Sequence, residues 1–185
     1  MEVAGVHVEQ GSNIPVVLLR EIEAPHRVLP IHIGGPEAAA IAMAMTGHVP
    51  PRPLAHDVMA QLVDRLDARV DAAELIDVRN GTFIAHLSLV GPHGLEHVDS
   101  RASDAIALAM RVGAPVMVAE AVLVELGATP EQLEGFESLL DDEPLGDGRR
   151  SAGSTDHVID DELIEEELED FRLFLSLVEP DDFAI

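Results

Sequence analysis

The segment V-D-S-R-A-S-D-A-I-A-L-A-M-R, residues 98–111, predicts a helix that packs against a hydrophobic core. From residue 102 onward, apolar side chains recur at the spacing of one helix face, at Ala102, Ala105, Ile106 and Ala109. Such a stripe is typical of a helix whose inner face is buried, so this helix organises our prediction of the fold.

Polar residues crowd the start of this helix, and capping accounts for only some of them. We expect Ser100 or Ser103 to cap the free backbone N–H groups of the first turn. Asp104 suits the positive end of the helix dipole. Asp99 and Arg101 have no such role, which makes them candidates for a functional site.

The composition indicates a soluble protein with one core. At 185 residues and 47% hydrophobic content, the chain is long enough for one domain and an appendage. The absence of cysteine excludes disulfides and thiolate metal sites. The acidic N-terminus does not resemble a signal peptide and no apolar run has the length of a membrane span, so we expect a cytoplasmic protein without membrane association.

The net charge of −24 is unevenly distributed along the chain. Residues 1–125 contain 16 acidic and 8 basic residues, whereas the remainder contains 19 acidic and 3 basic ones. We therefore predict a domain at residues 1–126, an acidic flexible linker with a short helix at 127–155, and an acidic amphipathic helix within 156–185. Because such a helix needs a surface to dock on, its own core or a protein partner is expected to bind it.

Strand and helix signals in the first part are mixed. We predict a hairpin from residues 3–9 and 16–22, a third strand at 28–33, and a helix that G-G-P-E opens and that runs through residue 45. The later predicted elements are a helix at 54–67, strands at 73–78 and 82–90 around Asn80-Gly81, a further strand, the helix at 102–112 and a strand at 115–119. The predicted fold class is α+β, a single compact domain with a mixed twisted β-sheet packed by helices.

A short internal similarity suggests a duplicated strand–loop–helix unit. The sequence I-A-M-A-M at residues 41–45 matches I-A-L-A-M at 106–110 with an offset of 65 positions. Chance similarity between apolar helices is the alternative explanation. A duplication would place the loops at 34–37 and 99–104 at equivalent positions of one sheet.

A series of motifs resembles the bifunctional nuclease domain family. The motifs are I-G-G-P-E-A-A-A-I (33–41), R-P-L-A-H-D (52–57), N-G-T-F-I-A (80–85), D-S-R-A-S-D-A-I-A-L-A (99–109) and P-V-M-V (115–118). The resemblance covers about residues 1–126. It implies a compact α+β domain that is often dimeric, with hydrolysis of DNA and RNA described for some members.

Hydrolysis of a phosphodiester needs charge stabilisation at the phosphate and a group that activates water. Our candidate catalytic residues are His56, as a base, with Asp57, Asp99 and Asp104. The candidate substrate-binding residues are Arg52, Arg101 and Ser103. Carboxylates suit Mg²⁺ or Mn²⁺, so the expected metal ligands are Asp57, Asp99, Asp104 and Glu37, with no organic cofactor.

The same residues have a structural alternative. Glu37, Asp57 and Asp104 would each complement a helix dipole, and Arg52 and Arg101 would pair with Asp57 or Asp99 in a buried ion network.

Electrostatics and three sequence differences also favour a function without hydrolysis. Proteins that bind nucleic acid usually carry a basic surface, which this acidic chain lacks. Family members typically have Thr, Pro and Tyr where this chain has Ala55, Ala102 and Ile84. The two hypotheses are a metal-assisted nuclease and a non-enzymatic dimeric binding or regulatory module that engages a partner through its acidic C-terminal helix.

Overall fold

The computed structural model of the chain describes residues 1–9, 12–129 and 132, and begins with three antiparallel strands. These are β1 (Glu2–Val8), β2 (Pro15–Arg20) and β3 (Val28–His32), paired in the order β1-β2-β3. Consecutive strands pair through short connections, so all the pairing in this sheet is local. The predicted hairpin and third strand are confirmed.

Two helices follow the first sheet. Helix α1 (Gly35–Met45) begins at Gly34 with Pro36 in its first turn, where a missing N–H has no cost. Helix α2 (Ala55–Arg65) begins after the proline-rich segment, which cannot continue a helix. Both predicted helices are confirmed, with α2 ending two residues earlier than we expected.

The second sheet has four strands in the order β6-β5-β4-β7. Its strands are β4 (Arg69–Arg79), β5 (Thr82–Gly91), β6 (Gly94–Arg101) and β7 (Val116–Val118). Asn80 and Gly81 turn β4 into β5 with φ angles of 52° and 76°, as a two-residue hairpin turn requires. Strand β7 pairs with β4 in parallel, so the sheet is mixed.

Helix α3 (Ala102–Val112) lies at the centre of the domain and contacts α1, α2, β4 and β5. The predicted stripe of Ala102, Ala105, Ile106 and Ala109 is buried, with the last three fully inaccessible. Ala107 and Leu108 are buried as well, so α3 is covered on nearly every side. The helix ends at Gly113, whose φ of 71° is the left-handed conformation of a C-terminal glycine cap.

The order of elements repeats, which agrees with the internal similarity in sequence. Each half consists of a three-stranded antiparallel meander followed by a helix, first β1 to α1 and then β4 to α3. The matching residues Ile41 and Ile106 are both fully buried. However, β3 and β6 lie in different sheets, because each meander pairs internally and leaves its third strand at an edge. The loops after them therefore do not occupy equivalent positions of one sheet.

A short helix that the sequence analysis did not predict closes the described chain. Helix α4 (Glu120–Leu126) buries Val122 and Leu123, and Ala128 then forms an isolated bridge with Val28 of β3. The chain therefore still contacts the domain at Ala128, just past the predicted boundary at residue 126. Apart from residues 127–129 and 132, the predicted linker and the predicted helix within 156–185 lie outside the described residues.

The α+β class and the single domain are confirmed, with the strands divided between two sheets and four helices among the described residues. Within the same part of the chain, no helix has both the length and the apolar character needed to cross a membrane.

Candidate active site

The first turns of three helices bring four of the predicted site residues together. Glu37 lies in the first turn of α1, His56 in that of α2 and Asp104 in that of α3, and Arg101 immediately precedes α3. Helix α3 packs against both α1 and α2, so these ends are held by the core rather than by loops. The arrangement joins residues that are far apart in sequence.

Arg101 links two of these carboxylates. Its Nε and Nη2 atoms lie 2.7 and 3.2 Å from Oδ2 and Oδ1 of Asp104, a two-point contact on one carboxylate. Its Nη2 atom also lies 2.8 Å from Oε1 of Glu37. The guanidinium is 69% exposed, whereas the Glu37 side chain is only 15% exposed. Arg101 therefore spans the entrances of α1 and α3 while still facing solvent.

His56, on α2, contacts the same Asp104 carboxylate as Arg101. Its Nε2 atom lies 3.2 Å from Oδ1 of Asp104, and the residue is 7% exposed. When Nε2 carries the proton and donates it to Asp104, Nδ1 is left as an acceptor. Among the described residues, Nδ1 has no hydrogen-bond partner. The Asp–His pair thus has the orientation of a carboxylate that holds an imidazole for proton transfer.

The charges of Asp104 and Arg101 stabilise each other. Burial raises the pKa of Asp104, but hydrogen bonds from Arg101 and His56 outweigh burial and hold the pKa below its ordinary value. The hydrogen bond to Asp104 and the nearby charge of Glu37 raise the pKa of Arg101. At neutral pH the site therefore contains an ionised carboxylate and a guanidinium.

A pocket of about 390 Å³ adjoins these side chains. We call it the acid–base pocket, and its lining residues are Pro36, Glu37, Ala40, Leu54, Ala55, His56, Met59, Arg101 and Asp104. Apolar side chains form part of the wall, and all four polar residues of the site face it. This size and composition suit a small ligand or one segment of a larger one.

Asp57 is directed away from this group by a partner that the sequence analysis missed. Its Oδ2 atom accepts a hydrogen bond of 2.8 Å from the N–H of Leu54, and Oδ1 lies 3.5 Å from Nη1 of Arg111. The Arg111 side chain is only 10% exposed, and its Nε and Nη2 atoms are buried without a hydrogen bond to any described residue. Asp57 thus caps α2 and ties it to the end of α3.

The predicted ion network forms with different partners. Arg101 pairs with Glu37 and Asp104 rather than with Asp57 or Asp99, and it is exposed rather than buried. Arg52 is exposed and has no ion pair within the described part of the chain. The only signal for Arg111 was a basic residue in the last turn of a helix, which normally indicates no more than a dipole interaction.

The two serines do not cap α3. The N-cap residue of α3 is Arg101, and no side chain caps the first turn of the helix. Ser100 instead donates to the carbonyl oxygen of Arg101 at 3.0 Å. The strand β6 continues through Arg101, so both serines lie one position or more from the place where a cap must stand. The first N–H groups of α3 are therefore left for other partners.

The four expected metal ligands are not gathered into one site. Asp104 and Glu37 face Arg101, Asp57 faces Arg111, and Asp99 lies on the exposed face of β6 opposite His86 of β5. Among the described residues, no group of three or more His, Asp or Glu side chains has an arrangement that would hold a metal ion. These carboxylates do not fit a resident Mg²⁺ or Mn²⁺ as they are arranged, so no catalytic step is assigned to a metal here.

A second polar cluster lies on the open face of the four-stranded sheet. Ser88 is 4% exposed, donates to Glu74 and lies 2.9 Å from Nδ1 of His97. The ring of His86 lies 6.0 Å from that of His97. Glu74 alternates with buried residues on β4, whereas the neighbours of His97 on β6 are exposed, so the sequence pattern is only a weak signal of a polar sheet face.

Comparisons with known proteins agree with the fold and the motifs. A sequence model described as the bifunctional nuclease domain matches residues 17–131. Two proteins of Mycobacterium tuberculosis, one from each of two strains and both described as uncharacterised, are 39% identical to this chain over 183 residues. Each alignment covers 99% of this chain and 96% of the relative.

Proposed function

Because this chain belongs to the bifunctional nuclease domain family, we propose that it hydrolyses phosphodiester bonds of DNA and RNA in the acid–base pocket. The observation that carries the proposal is the buried His56, held by Asp104 at 3.2 Å beside the exposed guanidinium of Arg101. A base, a charged group that orients it and a cation for phosphate are the parts that phosphoryl transfer needs.

His56 is the proposed base. With Nε2–H donated to Asp104, Nδ1 takes a proton from water as the water oxygen forms a bond to phosphorus. The bond between phosphorus and the leaving sugar oxygen then breaks, and the imidazolium returns the proton to that oxygen. Asp104 stabilises the imidazolium because its depressed pKa keeps it ionised at neutral pH.

Arg101 is the proposed phosphate-binding residue. Its Nε and Nη2 atoms contact Asp104 and Glu37, which leaves Nη1 without a partner among the described residues. A guanidinium binds phosphate oxygens through planar paired N–H groups. Two carboxylates fix the plane of the guanidinium, so the remaining donors are presented in one orientation to the pocket that Arg101 lines.

A requirement for Mg²⁺ or Mn²⁺ remains a prediction, and it is tested by measuring cleavage with each ion and with EDTA. The formation of a homodimer also remains a prediction. A protein partner for residues 156–185 is likewise still a prediction.

The alternative is a non-enzymatic binding or regulatory module, and one observation favours it. Both Asp104 and Glu37 already neutralise Arg101, which is how a structural ion network would be arranged. The net charge of −24 also opposes long-range attraction of nucleic acid. This alternative has the same fold and predicts no hydrolysis by the purified protein.

The test is cleavage of end-labelled single-stranded DNA and RNA by the full-length protein. His56→Asn and Asp104→Asn remove the base and the group that orients it. His93→Asn, in the exposed turn between β5 and β6, and Asp64→Asn, exposed on α2, are the matched controls. All variants are purified identically and checked for folding by circular dichroism.

We expect His56→Asn to lower the cleavage rate by about a hundredfold or more, since general acid–base catalysis commonly contributes that much. The two controls should cleave like the unmodified protein. Cleavage that persists in both site variants would overturn the assignment of the acid–base pocket. Absence of cleavage by the unmodified protein with either metal ion would favour the binding module.

A further inference from the structure

We propose that a second pocket, on the other side of Arg101, binds a phosphate group of the substrate next to the one that is cleaved. This pocket has a volume of about 360 Å³, and we call it the phosphate pocket. Its lining residues are Ile31, His32, Ile33, Gly34, Gly81, Thr82, Phe83, Arg101, Ala102 and Ser103. The inference rests on the proposed function for the source of the phosphate.

The first argument is the charge of the lining. The whole chain has 35 acidic and 11 basic residues, yet no acidic residue of the described part of the chain lines this pocket. Arg101 and His32 do line it. Glu37 lies close to Gly34 but is held by Arg101 at 2.8 Å, and His32 lies 3.6 Å from Glu9. In so acidic a protein, a pocket whose described lining residues include no carboxylate is suited to an anion.

The second argument is the uncapped start of α3. Ala102 and Ser103 of its first turn line the pocket, and no side chain caps this 11-residue helix. Backbone N–H groups in the first turn have no partner within the helix and carry the positive end of its dipole. A phosphate group accepts hydrogen bonds from these N–H groups, and the helix dipole stabilises its negative charge.

The third argument concerns the side chain of Ser103 rather than the backbone of α3. This residue is 8% exposed, and its hydroxyl makes no hydrogen bond to any described residue. Among the side chains of the described residues, only Nε and Nη2 of Arg111 are fully buried without a hydrogen-bond partner, so the hydroxyl oxygen of Ser103 remains accessible in the pocket that Ser103 lines. Thr82, at the start of β5, adds a second hydroxyl to the lining. A phosphate oxygen is a suitable acceptor for both.

Arg101 lines both pockets, which gives the proposal its substrate class. A ligand with one phosphate fills one pocket, whereas a nucleotide chain offers successive phosphates to both sides of the guanidinium. The nucleic acid of the proposed function would therefore contact both pockets at once. The phosphate that occupies the phosphate pocket is either an internal diester or a terminal monoester.

The direct test is a titration of the full-length protein with inorganic phosphate, followed through the amide resonances of Gly34, Ala102 and Ser103. Thr82→Asp places a carboxylate in the lining at an exposed position and should weaken phosphate binding at least tenfold. His93→Asp adds a negative charge in the other turn of the same sheet and should leave phosphate binding unchanged. Ser103→Ala should weaken it about tenfold by removing a hydrogen bond to a charged group.

Two oligonucleotides of one sequence, with and without a 5′-phosphate, identify the source of the phosphate. Tighter binding of the phosphorylated form, lost in Thr82→Asp, supports a terminal monoester in the pocket. Equal binding of both forms, weakened in Thr82→Asp, supports an internal diester. Phosphate and oligonucleotide binding that Thr82→Asp and Ser103→Ala do not change would overturn the proposal, as would the absence of resonance shifts at these amides.

The binding measurements do not depend on hydrolysis, so they separate this inference from the proposed function. If the protein also cleaves, Thr82→Asp should raise the KM for an oligonucleotide, whereas His93→Asp should leave that KM unchanged. Phosphate binding without cleavage would support the pocket and contradict the nuclease. An oligonucleotide KM that Thr82→Asp leaves unaltered would contradict the pocket alone.

Discussion

His56 and Asp104 are joined by a 3.2 Å contact between Nε2 and Oδ1, although they are 48 residues apart and belong to different helices. Helix α3 provides the carboxylate and α2 provides the imidazole, and the packing of α2 on α3 sets their separation. The site therefore depends on helix packing, and its stability is open to measurement independently of activity.

Replacement of Asp104 should reduce the acid sensitivity of the fold. The pKa of Asp104 is lower in the folded protein than its ordinary value of 3.8, so its stabilising effect is complete above that value and is lost as the pH falls below it. We expect Asp104→Asn to lose less of its free energy of unfolding between pH 7 and pH 3 than the unmodified protein. Urea titrations at both pH values measure this. Asp64→Asn should retain the full acid loss, and an equal loss in both variants would contradict the assignment.

Glu21 should have a larger effect on acid stability. Hydrogen bonds from Arg27, at 2.8 and 2.9 Å, lower its pKa from 4.5 to about 2 despite burial. The stabilisation is therefore complete above pH 4.5 and is lost as the pH falls towards 2. Glu21→Gln should have a lower urea midpoint at pH 7 and a smaller further decrease on acidification. Glu23→Gln, exposed in the same connection between β2 and β3, is the control.

Ile106 should be among the most sensitive core positions. It is fully buried at the centre of α3, and truncation of such a side chain leaves a cavity. We expect Ile106→Ala to lower the free energy of unfolding by about 2–5 kcal/mol. Val124→Ala, on α4 and 72% exposed, should change it by less than about 0.5 kcal/mol. A loss below about 1 kcal/mol for Ile106→Ala would contradict the central position of α3.

Gly34 should control the position of Glu37. A methyl group on Gly34 would overlap the Glu37 carboxylate, whereas one on Gly35 would meet nothing within 4 Å. Since the carboxylate is the end of a flexible side chain, Gly34→Ala should displace it from Arg101 and lower stability by no more than about 1 kcal/mol. The ¹⁵N resonance of Arg101 Nε reports the change. The resonance should move in Gly34→Ala and not in Gly35→Ala, and the same response in both would contradict the contact.

Most of the fold is predictable from sequence because its signals are local. Asn80-Gly81 specifies a hairpin turn, and Pro36 specifies the first turn of α1. The division of the strands into two sheets cannot be predicted from local signals. It depends on which edge strand of each three-stranded meander is left without a further neighbour. Helix α4 was missed because a seven-residue apolar segment has no distinct period.

The roles of the proposed site residues stay predictions, but the structure shows which of these residues lie close together. Helices α1 and α2 both pack on α3, and the starts of these three helices carry Glu37, His56, Arg101 and Asp104. Their spacing along the chain could not show this. Asp99 has a suitable chemical type, but it lies opposite His86 on β6 and does not line the acid–base pocket.

The parallel pairing of β4 with β7 has a kinetic consequence. Among the described residues, every other strand pair joins neighbours in sequence, whereas β5, β6 and α3 lie between β4 and β7 along the chain. Contacts between distant segments incur the cost of loop closure before they stabilise the chain, so we expect this pair to form after the folding barrier. Loss of the buried Val116 side chain would then accelerate unfolding and leave the folding rate nearly unchanged. Strand β7 would then be the last strand to pair during folding and the first to separate during unfolding.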